Sequence, residues 1–259
     1  MNIHVDIHGD GPDLVLLHGW AMHGGIFTGL LPALVQRYTV HLIDLPGHGR
    51  SAAGDHVTTL EQMTGCIQPH IPGNAIVLGW SLGGQIALQL AARMSLHALI
   101  LVSATPKFVA SDNWPQGMAP QVFSQFFARL HDNLQGTVQD FLALQVRGDL
   151  HAAATLKALR ERLLQFPPQA QTLESSLAML RDTDLRNVLP LVKMPALLIA
   201  GEHDRITHPR ATQFMANVIP HARYVEIRKA GHASFISHRD EFLHAVNEFL
   251  DGLDRRDVA

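Results

Sequence analysis

The sequence predicts a doubly wound α/β fold, on three observations. Short apolar runs alternate with segments of helical periodicity along most of the chain. The middle runs are apolar throughout rather than every second residue, the mark of parallel strands covered on both faces. One run, Ile76-Val77-Leu78, passes through Gly79-Trp80-Ser81-Leu82-Gly83 into a second apolar segment with helical spacing. A strand that turns directly into a helix is the repeating unit of such folds.

The elements follow in order. Residues 2–7 alternate and read as a short strand. Residues 14–17 and 39–43 are compact apolar strands, ending at His18-Gly19-Trp20 and at Asp44-Leu45-Pro46-Gly47-His48-Gly49-Arg50-Ser51. Further strands are expected at 75–78, 98–102, 196–200 and 223–227. Amphipathic spacing predicts helices at 26–36, 60–70, 82–93, 210–218 and 239–250. From 106 to 189 no strand pattern occurs. Helical patterns instead cover 121–132, 137–147, 152–164 and 168–181. The sheet pattern resumes at Ala196, so 106–189 is expected to be a helical lid over the carboxyl ends of the strands. Residues 1–105 and 190–259 would form the core. A separate all-helical domain would strand the last elements of the sheet.

Bulk composition narrows the classes. With 259 residues, 47% of them hydrophobic, the chain can build one large α/β domain or two small ones. A net charge of −3 offers no basic field for nucleic acid. One cysteine, Cys66, excludes a disulfide framework and a cysteine-based metal site. The 17 histidines are scattered, with no His-x-x-x-His pair on a helix, so neither metal nor cofactor is expected. Residues 1–10 lack the basic start and apolar run of a signal peptide. No apolar stretch approaches the roughly 18 residues of a membrane span. The expectation is a soluble, cytoplasmic protein.

The chemistry is carried by Gly79-Trp80-Ser81-Leu82-Gly83, a nucleophile elbow that exposes a serine hydroxyl on a sharp corner. A serine needs a base to take its proton and an acid to hold that base. Asp204 in Gly201-Glu202-His203-Asp204 and His232 in Ala230-Gly231-His232-Ala233 follow late strands, at the same sheet edge as Ser81. Glu202, Asp182 and Asp184 are rival acids; His18, His48 and His238 are rival bases. The oxyanion would be met by the backbone N–H of Leu82 and by that of Trp20 after the first core strand.

Taken together, Leu-Leu-His-Gly-Trp, Asp-Leu-Pro-Gly-His-Gly-Arg-Ser, Gly-Trp-Ser-Leu-Gly-Gly and Gly-His-Ala-Ser-Phe-Ile-Ser-His resemble the α/β-hydrolase superfamily. Phe141-Leu142-Ala143-Leu144-Gln145, Phe235-Ile236-Ser237-His238, Asp112-Asn113-Trp114-Pro115 and Asp184-Leu185-Arg186 bring it near one branch. That branch is the biotin-pathway carboxylesterases that remove the methyl group from pimeloyl-acyl-carrier-protein methyl ester. The resemblance implies an α/β-hydrolase fold with Ser81 as nucleophile, Asp204 as acid and His232 as base. It implies that Trp20 and Leu82 frame the oxyanion and that Phe141, Leu142, Ala143, Leu144 and Gln145 line an acyl channel. It also implies an acidic acyl carrier protein as partner, docked on basic residues of the lid; Arg147, Lys157, Arg160 and Arg162 are the candidates. Gly136 and Asp140 stand where further basic residues would be expected.

Other readings remain open. The same three residues serve short-chain ester hydrolysis, carbon–carbon bond hydrolysis, lactone hydrolysis and perhydrolysis. A hydrolase scaffold can also act as a ligand receptor without turnover. Dehalogenases and epoxide hydrolases fit poorly, since they place Asp where this chain has Ser81.

Overall fold

The computed structural model describes residues 1–53 and 57–257. Of the expected core segments, residues 54–56 and 258–259 lie outside the described residues. Seven strands form one sheet: β1 (Val5–His8), β2 (Asp13–Leu17), β3 (Thr39–Ile43), β4 (Ile76–Trp80), β5 (Ala98–Val102), β6 (Ala196–Gly201) and β7 (Ala222–Ile227). Their order is β1-β3-β2-β4-β5-β6-β7. β1 pairs antiparallel with β3, and every other pairing is parallel. β4 and β5 are buried at every position, which is why their residues run apolar without alternation. The exposed Ile7 lies on β1, at the edge of the sheet, where one side is open to water.

The helices are α1 (Leu31–Leu34), α2 (Leu60–Ile67), α3 (Leu82–Ala91), α4 (Pro120–Asp132), α5 (Leu134–Gln145), α6 (Ala152–Gln165), α7 (Ala170–Asp182), α8 (Pro209–Val218), α9 (Ser234–Ser237) and α10 (Arg239–Asp257). Two expectations need correction. The helix expected at 26–36 is a short 3-10 turn, Gly24–Phe27, followed by the four-residue α1. Gly24, Gly25 and Gly29 weaken the helix there, and Pro32 supplies no N–H inside it. The helix expected at 60–70 changes at Ile67 into a 3-10 turn, Gln68–His70, around Pro69. α2 starts on a capping box, in which Thr59 accepts from the Gln62 N–H and the Gln62 side chain accepts from that of Thr59. Among the described residues no helix is long and apolar enough to cross a membrane.

α4 to α7 lie between β5 and β6 in the chain, and their ends are tied together. Leu185 N–H donates to the Pro106 carbonyl at 2.8 Å. Asp184 takes hydrogen bonds from the Arg186 backbone N–H, Nε and Nη2, and an ion pair from Lys107. The Arg186 guanidinium also covers the buried Trp114 ring.

The elbow dictates how closely β4, α3 and β2 approach. A Cβ on Gly83 would strike the Leu17 carbonyl oxygen, and one on Gly79 would strike the Gly83 carbonyl oxygen. Neither backbone group can move without breaking the sheet or the first turn of α3. Gly83→Ala is therefore expected to cost about 2 kcal/mol, lowering Tm by roughly 4–8 °C for a chain of this size. Thermal unfolding followed by circular dichroism checks it.

Candidate active site

Ser81 stands between β4 and α3 with φ 57° and ψ −115°, a left-handed backbone that serine does not favour. The strain is held by neighbours. Ser81 N–H donates to the Val102 carbonyl at 3.0 Å, and the Ser81 carbonyl accepts from Gly84 N–H at 2.9 Å. The corner lifts the side chain out of the sheet edge, toward an apolar cavity. That cavity is lined by Trp20, Phe108, Met118, Val122, Phe126, Phe141, Leu144, Leu177, Leu180 and Ile206 besides Ser81. Ser81 is the one residue in this wall with a polar side chain able to react; the rest is hydrocarbon, aromatic ring and a thioether.

His232 follows β7, and Asp204 follows β6. His232 Nδ1 lies 2.8 Å from Asp204 Oδ2, with both side chains buried. Asp204 Oδ1 also accepts from the N–H groups of Ile206 and Thr207, at 2.8 and 3.0 Å. Thr207 Oγ1 lies 2.9 Å from both Asp204 Oδ2 and the Ser103 carbonyl. Burial pushes the Asp204 carboxyl upward. The adjacent His232 and the two N–H donors outweigh it, so Asp204 sits below its ordinary value and is ionised. Its acceptor role orients His232 with hydrogen on Nδ1 and the lone pair on Nε2. Nε2 is buried and has no partner among the described residues, Ser81 included. Contacts of this kind often close only around a bound substrate.

The rival residues are accounted for elsewhere. Glu202 is exposed and accepts from Lys229 N–H. Asp182 binds Arg181, and Asp184 binds Arg186. His18 is locked between two backbone groups: Leu45 N–H donates to Nε2 at 2.9 Å, and Nδ1 lies 2.8 Å from the Gly19 carbonyl. His48 Nδ1 meets the Pro46 carbonyl, and His238 Nδ1 meets Ser237 Oγ.

The cavity wall holds two of the five residues expected along the channel. Phe141 and Leu144 line it, one helical turn apart on α5. Leu142 is buried in the core, Ala143 is exposed, and Gln145 is buried with its side-chain amide meeting no hydrogen-bond partner among the described residues. Successive residues on a helix step by about 100°, so five consecutive positions cannot share one face. Trp20 lies in the wall, edge-on to Phe141 at 4.8 Å, with Nε1–H donated to the Leu173 carbonyl at 3.1 Å. The backbone N–H groups of Trp20 and Leu82 donate to no described residue outside regular structure, which leaves them available to a ligand. Thr207, Phe126, Leu177 and Leu180 carry no sequence motif that marks them for the site. Thr207 is three residues past Asp204, but nothing in the sequence shows which way that turn closes.

A family model described as "alpha/beta hydrolase fold" matches residues 12–239. The chain belongs to the α/β hydrolase fold family. Among relatives of this α/β hydrolase, the pimeloyl-[acyl-carrier protein] methyl ester esterase of Stenotrophomonas maltophilia (strain K279a) is 42% identical over 257 residues, 98% of this chain and 99% of that protein. The protein of the same name from Xanthomonas oryzae pv. oryzae (strain MAFF 311018) is 40% identical, covering 96% of this chain and 98% of that one. The resemblance read from the motifs is thus matched over nearly the whole length. Among solved structures, an esterase from Exiguobacterium antarcticum aligns with a TM-score of 0.88 at 24% identity, covering 96% and 95% of the two chains. The enol-lactonase from Burkholderia xenovorans LB400 aligns at 0.83 and 25% identity, covering 96% of each.

The buried histidines give this hydrolase an acid weakness. Burial, with the neighbouring His48 ring, holds His18 down at about 3, and burial holds His48 at about 4. An unfolded imidazole titrates near about 6.5. Below that pH the unfolded chain takes up protons that the folded chain refuses, so stability falls as pH drops from 6.5 toward 4. The loss reaches up to roughly 1.4 kcal/mol per pH unit for each histidine. Urea midpoints at pH 7 and pH 5 are expected to differ accordingly, and His48→Gln to flatten the slope.

Proposed function

We propose that this hydrolase is a serine carboxylesterase that removes the methyl group from pimeloyl-[acyl-carrier protein] methyl ester, releasing methanol, in biotin synthesis. The observation that carries the reading is the pairing of two facts. Relatives bearing that name match almost end to end, and the elbow serine opens on a wall with no charged side chain. An apolar cavity suits a methylene chain ending in an uncharged ester.

In this mechanism Ser81 Oγ attacks the ester carbonyl as His232 Nε2 takes its proton. Asp204 stabilises the imidazolium, and the N–H groups of Leu82 and Trp20 receive the oxyanion. Leu82 opens α3, so the helix dipole adds to its donor. Methanol leaves with the proton from His232. Water, deprotonated by the same ring, then splits the acyl-enzyme. Phe141 and Leu144 hold the acyl chain, and α4 to α7 act as a lid, residues 106–189 against a core of 1–105 and 190–259.

Carrier-protein docking falls to the exposed Arg147, Lys157 and Arg160. Lys157 pairs with Glu161 at 3.9 Å, whereas Arg160 Nε donates to the neutral Gln139 amide, so Arg160 keeps an uncompensated charge to steer an acidic partner. Arg162 differs. It donates to Thr28 Oγ1 at 2.6 Å and its carbonyl meets His23 Nε2 at 3.0 Å, so it ties α6 to the core instead. The site of action is the cytoplasm, a reducing compartment consistent with the single Cys66.

Ser81→Ala is expected to reduce turnover of p-nitrophenyl butyrate and of the carrier-bound methyl ester by on the order of 10⁴-fold; retained turnover of either sinks the nucleophile assignment. Leu144→Asp places a charge in the apolar wall. It is expected to lower kcat/KM for long-chain methyl esters more than for methyl acetate, measured by methanol release. A protein that prefers lactones or diketones over the methyl ester series would overturn the substrate.

A further inference from the structure

His232 is held by more than Asp204. The backbone N–H of Gly231 donates to Asp149 Oδ2 at 2.7 Å, and that of His232 donates to the Gln145 carbonyl at 2.8 Å. Both acceptors belong to the chain just where α5 ends, on the helical segment rather than the sheet. The neighbouring groups are fixed too. Leu150 N–H donates to the Lys229 carbonyl, His203 N–H to that of Ala230, and Trp80 Nε1–H to that of His232. A Cβ on Gly231 would strike the Gln145 carbonyl oxygen, so the glycine before the histidine permits this close approach.

Asp149 is a costly choice for a spacer. It is buried, and among the described residues no Lys or Arg side chain lies within ion-pair distance of it. Its two oxygens are met by backbone N–H groups, Gly231 on Oδ2 and His151 on Oδ1 at 2.7 Å. Charge-assisted bonds of that kind are short and directional. We propose that Asp149 is a positioning residue, which together with the Gln145 carbonyl locks the Gly231–His232 backbone to the helical segment and so fixes the imidazole against Ser81. The proposal rests on Ser81, His232 and Asp204 being the reacting set. The imidazole is tethered to Asp204 at Nδ1, so a shift of its backbone swings Nε2, and a misplacement of about 1 Å can cost roughly 10²-fold in rate.

The test is a pre-steady-state comparison of the full-length protein with Asp149→Ala and Asp149→Asn, using diethyl p-nitrophenyl phosphate. Ser81 Oγ forms a bond to phosphorus, p-nitrophenolate leaves, and His232 accepts the serine proton. The burst amplitude counts competent sites, whereas its rate constant reads the Ser81–His232 pair in each of them. The rate constant is expected to fall at least tenfold in D149A and less in D149N, which keeps one acceptor oxygen. The kcat for p-nitrophenyl butyrate should fall in step, with KM within twofold. A rate constant within twofold of the parent, with losses confined to amplitude or Tm, overturns the proposal. Should D149A not fold, D149N decides by the twofold criterion alone. Failure of the underlying reading looks different, since the parent would then give no burst, or Ser81→Ala would retain it.

Discussion

The sharp turn from β4 into α3 is the constraint on which the rest depends. It places Ser81 in a left-handed conformation and brings three backbone segments within contact of one another. Such a turn survives only because β4 is buried between β2 and β5 and paired to both along its length. The sheet therefore works as a clamp. It supplies the rigidity that keeps one strained residue strained, and the strain lifts the serine hydroxyl toward the cavity and turns the first N–H groups of α3 in the same direction.

A second layer of polar contacts sets the loops around that corner. Asp44 accepts from the N–H groups of Gly24 and Arg50, and His18 bridges Leu45 to Gly19. The loop carrying Trp20 is thus tied to the loop after β3. Burial raises the Asp44 carboxyl, but the Arg50 N–H and the other donors hold it below its usual range. These residues spend stability to fix backbone positions, and the acid sensitivity of His18 and His48 is the thermodynamic trace of that arrangement.

The helical segment is joined to the core chemically as well as sterically. Its aromatic residues Phe126 and Phe141 pack on Trp20, its Leu173 carbonyl takes the Trp20 indole, and its Gln145 and Asp149 grip the backbone at His232. The same helices that line the apolar cavity therefore hold the loop that bears His232.

Local pattern was enough for much of this. Uniform apolar runs revealed the buried strands, because a strand covered on both faces has no polar side to show. Gly79 and Gly83 around Ser81 revealed the elbow, because no other residue fits there. Strand-end placement brought Asp204 and His232 to the serine's edge of the sheet. Other features needed the folded chain. Glu202 and Asp204 are two residues apart, and only the turn after β6 decides that Asp204 faces inward to Nδ1 while Glu202 faces water. The consecutive residues 141–145 look like one apolar surface in sequence, yet helical rotation sends them to cavity, core and solvent. Asp149 reads as one more surface charge until α5 ends beside Gly231. Sequence by itself determined the class of fold and the placement of Ser81, Asp204 and His232 at the strand ends of one sheet edge, since both rest on local sterics and strand order. Tertiary structure alone decided which side chains meet across 82 residues of chain, as Asp149 and Gly231 do, because such contacts depend on packing between elements and leave no periodic trace.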